Sequence, residues 1–344
     1  MSRKTKSIGI AIVLTVLAAI IAFGIRSSVV SAVDQVEVVK TFNAAEGQLP
    51  EGIILDKSGN IFVTLGAPSF AGGGLGEVWR ISPDGTETTI LAEFDYPGVS
   101  GPAGIVVDAP GNVYFAYPAT YPEINGVYRF ENGKPVRLPG TENTVVANGL
   151  ALDKHGDLFV SDSILGAIWR ISLGKSPVAS IWFQDDLLAG CLPDEPIGAN
   201  GIAFWKQNLY VANTGKGLLV RIPVLENGSP GEPKVVAGVE DNGCEFDDLV
   251  GMDGIALDVH GNVYALLVIQ NKLVRIDPSD GSYTMLLTEN DGLWNPASIA
   301  FGTGKGERES IFISNYAVIP PEPTNSLGPA VLKYNVGVSG LPIP

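Results

Sequence analysis

The sequence predicts an all-β fold, a six-bladed β-propeller with four strands in each blade. Two observations predict it: one segment recurs six times along the chain, and each copy holds two β-rich runs around a polar turn. A third is composition, because 42 glycines and 24 prolines among 344 residues favour many short strands joined by turns. With 45% hydrophobic residues the chain can bury a large core.

The repeat is read most clearly as "GIILDKSGNIFVT" from Gly52, and a degenerate sixth copy begins at Ser298. The intervening copies begin at Gly104, Gly149, Gly201 and Gly254, with intervals of 44 to 53 residues. Each copy is a hairpin pattern followed by a third run such as "VWRIS" at 78 and often by a weaker fourth run. Four strands in a repeat of about 40–50 residues have the dimensions of a propeller blade.

The ring also has to close. Few residues follow the third run of the last repeat, Val331 to Tyr334, so its outer strand is missing. The segment "VEVVKTF" at 36–42 is predicted to supply that strand, which would remove a free sheet edge.

The N-terminus has the pattern of an export segment. Arg3, Lys4 and Lys6 precede an apolar run over residues 8–25, and small residues follow at 30–32. We expect residues 1–32 to be a cleaved signal peptide or a retained anchor helix, and residues 33–344 to form the propeller outside the cytoplasm. The protein would then be secreted or periplasmic, or held to the membrane through residues 8–25 alone.

Charge excludes one class of partner. The first 32 residues hold four of the 22 basic residues and none of the 37 acidic ones, so the remainder carries a net charge of −19. Such a surface repels phosphate backbones, and we expect no nucleic-acid partner. The loops that enter blades four and five are especially acidic and predict an electronegative mouth. These acids are Asp194, Glu195, Asp241, Glu245, Asp247 and Asp248.

Several repeated polar residues are expected to be structural. Aspartates such as Asp56 precede hairpin turns, where an aspartate hydrogen-bonds its own backbone. A basic residue occurs in the third run of every repeat, as at Arg80, and a residue present in all six blades is no single site. The two histidines, His155 and His260, lie in matching turns, which argues against a serine–histidine–aspartate hydrolase and against a histidine-based zinc site.

The residue just before each repeat differs between copies, and six-fold stacking brings these positions together at the axis. In blade order they are Glu51, Ala103, Asn148, Asn200, Asp253 and Ala297. Two carboxylates and two carboxamides suit Ca²⁺, with Mg²⁺ or Mn²⁺ possible. The alternative is that asparagine and aspartate only form turns before a strand, although glutamate is a poor turn residue.

The chain resembles the regucalcin/gluconolactonase family of six-bladed propellers over roughly residues 45–340. The resemblance rests on "PEGIILD" at 50–56, "ANGLALD" at 147–153, "ANGIAF" at 199–204 and "MDGIALD" at 252–258. It implies one axial Ca²⁺ bound by Glu51, Asn148, Asn200 and Asp253, with Asp253 also acting as a base. It implies hydrolysis of lactones. The family's "RxNDG" pattern is "VVANG" here, so the arginine that would contact a sugar is absent.

The two cysteines occupy equivalent places. Cys191 stands ten residues before Gly201, and Cys244 ten residues before Gly254. Outside the cytoplasm such a pair should oxidise, so we predict a Cys191–Cys244 disulfide that joins the loops entering neighbouring blades. Two separate buried thiols are the alternative.

Three functions remain open from the sequence. The first is an exported, Ca²⁺-dependent hydrolase of lactones or related esters, in which the metal acts as a Lewis acid. The second is a non-enzymatic exported propeller that binds a small ligand or a protein around a structural metal. The third, a strictosidine-synthase-like condensation, would need a glutamate over the pocket, whereas Glu307 and Glu309 belong to a hairpin of blade six.

Overall fold

A computed structural model describes residues 36–68, 71, 73–95, 101–119, 121–191, 196–240, 244–245 and 247–343. These residues form six antiparallel sheets of four strands each, which confirms the predicted propeller. The export segment over residues 1–32 lies outside the described residues, as do Asp194, Glu195 and Asp241. No helix within the described part of the chain has the length and apolar character needed to cross a membrane.

The strands follow the repeats closely. Strand β1 (Glu37–Thr41) comes first, and blade one then contains β2 (Pro50–Leu55), β3 (Ile61–Leu65), β4 (Gly76–Ile81) and β5 (Thr88–Phe94). Blade two contains β6 (Ile105–Val107), β7 (Val113–Tyr117), β8 (Gly126–Glu131) and β9 (Lys134–Arg137). Blade three contains β10 (Ala147–Leu152), β11 (Leu158–Asp162), β12 (Ala167–Ser172) and β13 (Val178–Gln184).

The remaining blades have the same plan. Blade four contains β14 (Ala199–Trp205), β15 (Asn208–Asn213), β16 (Leu218–Pro223) and β17 (Lys234–Ala237). Blade five contains β18 (Met252–Leu257), β19 (Val263–Leu267), β20 (Lys272–Ile276) and β21 (Tyr283–Leu287). Blade six contains β22 (Pro296–Phe301), β23 (Ser310–Asn315) and β24 (Ala330–Asn335).

The N-terminal strand completes blade six, as predicted. Strand β1 pairs antiparallel with β24, with Glu37 opposite Lys333 and Thr41 opposite Ala330. The carboxylate of Glu37 lies 3.0 Å from the ammonium group of Lys333. Because the first and last strands share one sheet, the edge that β24 would otherwise expose is paired.

The hydrophobic core is divided into layers between neighbouring blades. The layer between blades one and six, for example, packs Val63 and Trp79 against Phe312 and Val331. Similar layers fill the other five junctions. Middle strands therefore have two buried faces, and every residue of β3 is buried, whereas the outer strand β5 is mostly exposed. Each blade needs both neighbours to bury its faces.

The repeated aspartates hold the hairpin turns, as expected. Asp153 Oδ1 accepts a hydrogen bond from the His155 backbone N–H, and Asp258 Oδ1 accepts one from that of His260, both at 2.8 Å. Both histidines thus lie at the end of their blade opposite to the start of the inner strand. Glu307 also lies in a first hairpin connection, where its carboxylate is 3.2 Å from the Lys333 ammonium group. This placement argues against the condensation chemistry.

The structure contains the Cys191–Cys244 disulfide, with Cα atoms 5.7 Å apart. Cys191 is buried, and both cysteines lie in the loops that lead into β14 and β18. The bridge therefore joins two loops at one end of neighbouring blades.

Removal of this bridge should destabilise the protein. It closes a 53-residue segment, for which the chain-entropy model gives about 4 kcal/mol. We expect the Cys191→Ser/Cys244→Ser double variant to lose about that much free energy of unfolding in a denaturant titration. Wild-type protein unfolded under reducing conditions is the control and should match the variant. Equal stability of the oxidised protein and the variant would contradict the prediction.

Candidate metal centre at the propeller axis

The four candidate ligands occupy the same position in four blades. Glu51, Asn148, Asn200 and Asp253 are each the second residue of an inner strand, β2, β10, β14 and β18. Inner strands of neighbouring blades contact each other around the whole ring, including β2 against β22. The four residues therefore begin adjacent or nearly adjacent inner strands at one end of the axis.

Glycine is what lets these strands approach so closely. A Cβ atom placed on Gly149 would lie 2.4 Å from the carbonyl oxygen of Asn200, and one on Gly201 would lie 2.3 Å from that of Asp253. The same relation joins Gly104 to Asn148 at 2.4 Å. Each repeat glycine thus packs directly against the candidate position of the next blade.

Hydroxyl groups on the second strands hydrogen-bond to the backbone carbonyl groups at these same inner-strand positions. Ser161 Oγ donates to the carbonyl oxygen of Asn200 at 2.6 Å, across a blade junction. Thr64 does the same for Ala103 at 2.7 Å, and Ser314 donates to the carbonyl oxygen of Glu51. The last bond joins blade six to blade one, so it helps close the ring at the axis.

The side chains of Asn148 and Asn200 are held by equivalent hydrogen bonds. Asn148 Nδ2 donates to Ser163 Oγ at 3.2 Å, and Asn200 Nδ2 donates to Thr214 Oγ1 at 3.0 Å. Each acceptor directly follows the second strand of its own blade. Because these bonds commit the amide nitrogen, the carboxamide oxygen of each asparagine is the group left to accept from a ligand or bind a cation.

The two carboxylates lie near each other deep in the ring. Burial, followed by the negative charge of Asp253, raises the pKa of Glu51. Burial raises the pKa of Asp253 to about 8, against a smaller lowering by a hydrogen bond with Asn200. Both residues nevertheless keep some accessible surface, which indicates that they line a recess and are not part of the solid core.

A buried carboxylate oxygen without a hydrogen-bond partner makes the recess suitable for binding a cation. Glu51 Oε2 is buried and has no hydrogen-bond partner among the described residues. A buried charged oxygen without a partner is costly, and a second carboxylate nearby raises that cost. A divalent cation held by Glu51, Asn148, Asn200 and Asp253 would remove both penalties with hard oxygen ligands. Within the described part of the chain, no three His, Cys, Asp or Glu side chains cluster suitably for a metal, so a site here depends on the carboxamides.

Tyr316 is a site residue that the sequence analysis missed. It follows β23 directly, packs with Leu49 and Val318, and is close enough to both carboxylates that burial and the charges of Glu51 and Asp253 raise its pKa. Its position corresponds to Ser163 and Thr214 in blades three and four. The signal in the sequence is the residue that directly follows each second strand, as Tyr316 follows the run "IFISN" at 311–315.

The pKa values predict how cation binding depends on pH. Without a cation, Asp253 holds a proton below about pH 8, and that proton has to leave before its carboxylate can bind a metal. We expect the Ca²⁺ affinity to rise with pH through the region around pH 8, because Asp253 and Glu51 both have to lose a proton before they bind the metal. Calorimetry in buffers of different ionisation enthalpy measures the proton released. An affinity that is constant from pH 6 to 9 would contradict this prediction.

The comparisons with known proteins support the family resemblance over part of the chain. Residues 189–314, which span blade four, blade five and the first two strands of blade six, match the model described as the SMP-30/Gluconolactonase/LRE-like region. The resemblance predicted from the sequence is confirmed over this segment. The segment includes Asn200 and Asp253 and ends just before Tyr316. A search of curated proteins finds no match to the chain.

Solved structures share the fold at low sequence identity. The calcium-binding protein regucalcin from Agrobacterium tumefaciens has a TM-score of 0.63 at 15% identity, with 89% of this chain and 98% of that chain covered. Luciferin-regenerating enzyme has a TM-score of 0.62 at 16% identity, with 90% and 97% covered. Virginiamycin B lyase from Staphylococcus aureus has a TM-score of 0.52 at 16% identity, with 89% of each chain covered. At these identities the similarity establishes the fold.

Proposed function

We propose that this protein is an exported, Ca²⁺-dependent hydrolase of lactones or related esters, with its active site at the propeller axis. The observation that carries the proposal is the unpartnered, buried oxygen of Glu51 beside Asp253, in a recess that keeps accessible surface. The match to the SMP-30/Gluconolactonase/LRE-like region and the fold shared with a calcium-binding regucalcin support it. Export rests on the sequence pattern of residues 1–32.

In this proposal Glu51, Asn148, Asn200 and Asp253 hold the metal, and a bound Ca²⁺ supplies a Lewis acid that polarises the substrate carbonyl. The two asparagines are oriented by Ser163 and Thr214, so their oxygens are fixed before substrate arrives. Asp253 is assigned the proton of the attacking water, the base role that the family resemblance implies. Tyr316 stays a protonated phenol, because its pKa is raised, and can donate a hydrogen bond to a substrate oxygen.

A lactone panel with and without chelator tests the proposal. Full-length protein should hydrolyse at least one aliphatic, aryl or sugar lactone, lose that activity with a Ca²⁺ chelator and regain it when Ca²⁺ is added in excess. Mg²⁺ and Mn²⁺ are tested in the same way. Binding of Ca²⁺ with a higher melting temperature but no chelator-sensitive turnover would overturn the enzymatic proposal and favour a binding protein with a structural metal.

A further inference from the structure

The loops around the candidate site carry an unusual share of the exposed aliphatic and aromatic side chains. We define the upper loops as those that enter the inner strands and those that join the second and third strands of each blade. Seven exposed large hydrophobic residues lie on the described upper loops, and two, Leu225 and Val259, lie on the described loops at the other end. The seven are Leu75, Tyr121, Val145, Ile164, Val239, Ile269 and Ile319. Single exposed hydrophobic residues are ordinary, but their concentration at one end indicates a binding surface.

Several of these residues lie close in sequence to residues of the site, and one packs against a neighbouring loop. Val145 is three residues before Asn148, and Ile164 directly follows Ser163, which orients the Asn148 carboxamide. Ile269 packs against Gly251, where an added Cβ would lie 2.4 Å from Ile269 Cγ1, two residues before Asp253. Aliphatic residues therefore lie on the loops of blades three and five that adjoin the site residues.

The charge of the same loops is strongly one-sided. The described upper loops contain thirteen acidic residues and one basic residue, Lys216, whose ammonium group donates to the Asp186 carbonyl oxygen at 2.5 Å. The described loops at the other end contain as many acidic residues but also six lysines and arginines, so the upper loops are the more negative end. A negative field at the mouth repels anionic ligands from solution. The described upper loops also contain no arginine that could replace the one missing from the "VVANG" segment, residues 145–149.

We propose that the site selects uncharged lactones or esters that carry an aliphatic chain, with the ring at the axis and the chain against Val145 and Ile164, and that it discriminates against anionic substrates. That such ligands are substrates rests on the proposed function, whereas the preference in binding does not depend on it. The aliphatic rim stabilises the chain by removing apolar surface from water, and the acidic loops disfavour carboxylates and phosphates.

The test uses binding of cyclic ketones, which resemble lactones in shape but cannot be hydrolysed. With Ca²⁺-loaded full-length protein, cyclohexanone is compared by calorimetry with 2-hexylcyclohexanone and with its ω-carboxylate analogue. The hexyl chain is expected to tighten binding at least about tenfold, because each buried CH₂ contributes roughly fourfold. The carboxylate should lose at least about tenfold of affinity relative to the neutral chain, and less at high salt.

Two matched double variants locate the effect. Val145→Ser/Ile164→Ser should remove most of the gain from the hexyl chain, whereas Val259→Ser/Leu225→Ser, which changes exposed aliphatic residues at the other end, should retain it. The inference is overturned if the chain gives no gain, if both variants lose it equally, or if the carboxylate binds as well as the neutral ligand. Ketone binding with this preference but no lactone turnover would keep the inference and refute the proposed hydrolysis.

Discussion

The Asp253→Asn substitution is expected to lower lactone hydrolysis by at least about 100-fold and to weaken Ca²⁺ binding. The substitution keeps the shape of the side chain but removes its negative charge and its capacity to accept a proton, which are the two properties the proposal assigns to it. Burial and then the charge of Asp253 raise the pKa of Glu51, and the substitution removes that charge, so above about pH 8 the metal-free variant should be at least as stable as the wild type. Steady-state kinetics with Ca²⁺ titrations measures both effects.

Two control variants distinguish the effect of removing a carboxylate at the axis from the effect of removing any carboxylate. Asp108→Asn changes an aspartate that holds a hairpin turn in blade two, and its activity should stay within about twofold of the wild type. Glu51→Gln should weaken Ca²⁺ binding as Asp253→Asn does, and saturating Ca²⁺ should restore more of its activity, because Glu51 has no assigned proton-transfer role. Full activity of Asp253→Asn at saturating Ca²⁺ would refute the assigned base.

The Gly201→Ala substitution should cost more than about 5 kcal/mol of stability, or prevent folding, because the added Cβ would clash with backbone atoms of the next inner strand, β18. An alanine Cβ would lie 2.3 Å from the Asp253 carbonyl oxygen and 2.8 Å from Gly254 Cα. Neither atom can move without opening the ring between blades four and five. The loss is measured by denaturant unfolding and by the amount of folded protein recovered.

A second glycine provides the matched comparison. Gly174 has no heavy atom within 4 Å of an added Cβ and has an ordinary backbone conformation, so Gly174→Ala should change stability by less than about 1 kcal/mol. If Gly201→Ala were equally neutral, the inner strands would be farther apart than this account requires. The oxygen donors at the axis would then be farther apart as well.

Much of the architecture follows from local sequence signals. The repeat of "GIILD"-type segments predicts six blades, and the missing outer strand of the last repeat predicts that residues 36–42 pair with β24. Equivalent placement of Cys191 and Cys244 predicts their bridge, which the structure contains. These inferences succeed because a repeat fixes which positions are equivalent, and equivalence in a ring fixes proximity.

The environment of the site could be described only once the three-dimensional fold was known. That Glu51 leaves an oxygen without a partner depends on what surrounds it in three dimensions, and no local pattern contains this information. Tyr316 was missed because blade six is the most degenerate repeat and a tyrosine stands where blades three and four have the hydroxyl residues Ser163 and Thr214; the paired strands make the equivalence plain. The aliphatic border of the recess comes from loops far apart in sequence, and exposure distinguishes those residues from core residues of the same type.

Crystals of the full-length protein grown with CaCl₂ offer the most direct measurement, through an anomalous difference map collected at long wavelength. The account predicts one strong peak on the propeller axis, about 2.3–2.6 Å from side-chain oxygens of Glu51, Asn148, Asn200 and Asp253. At least one further ligand position should face the recess and hold water. A map with no axial peak, or with a peak that these four side chains do not contact, would contradict the central claim.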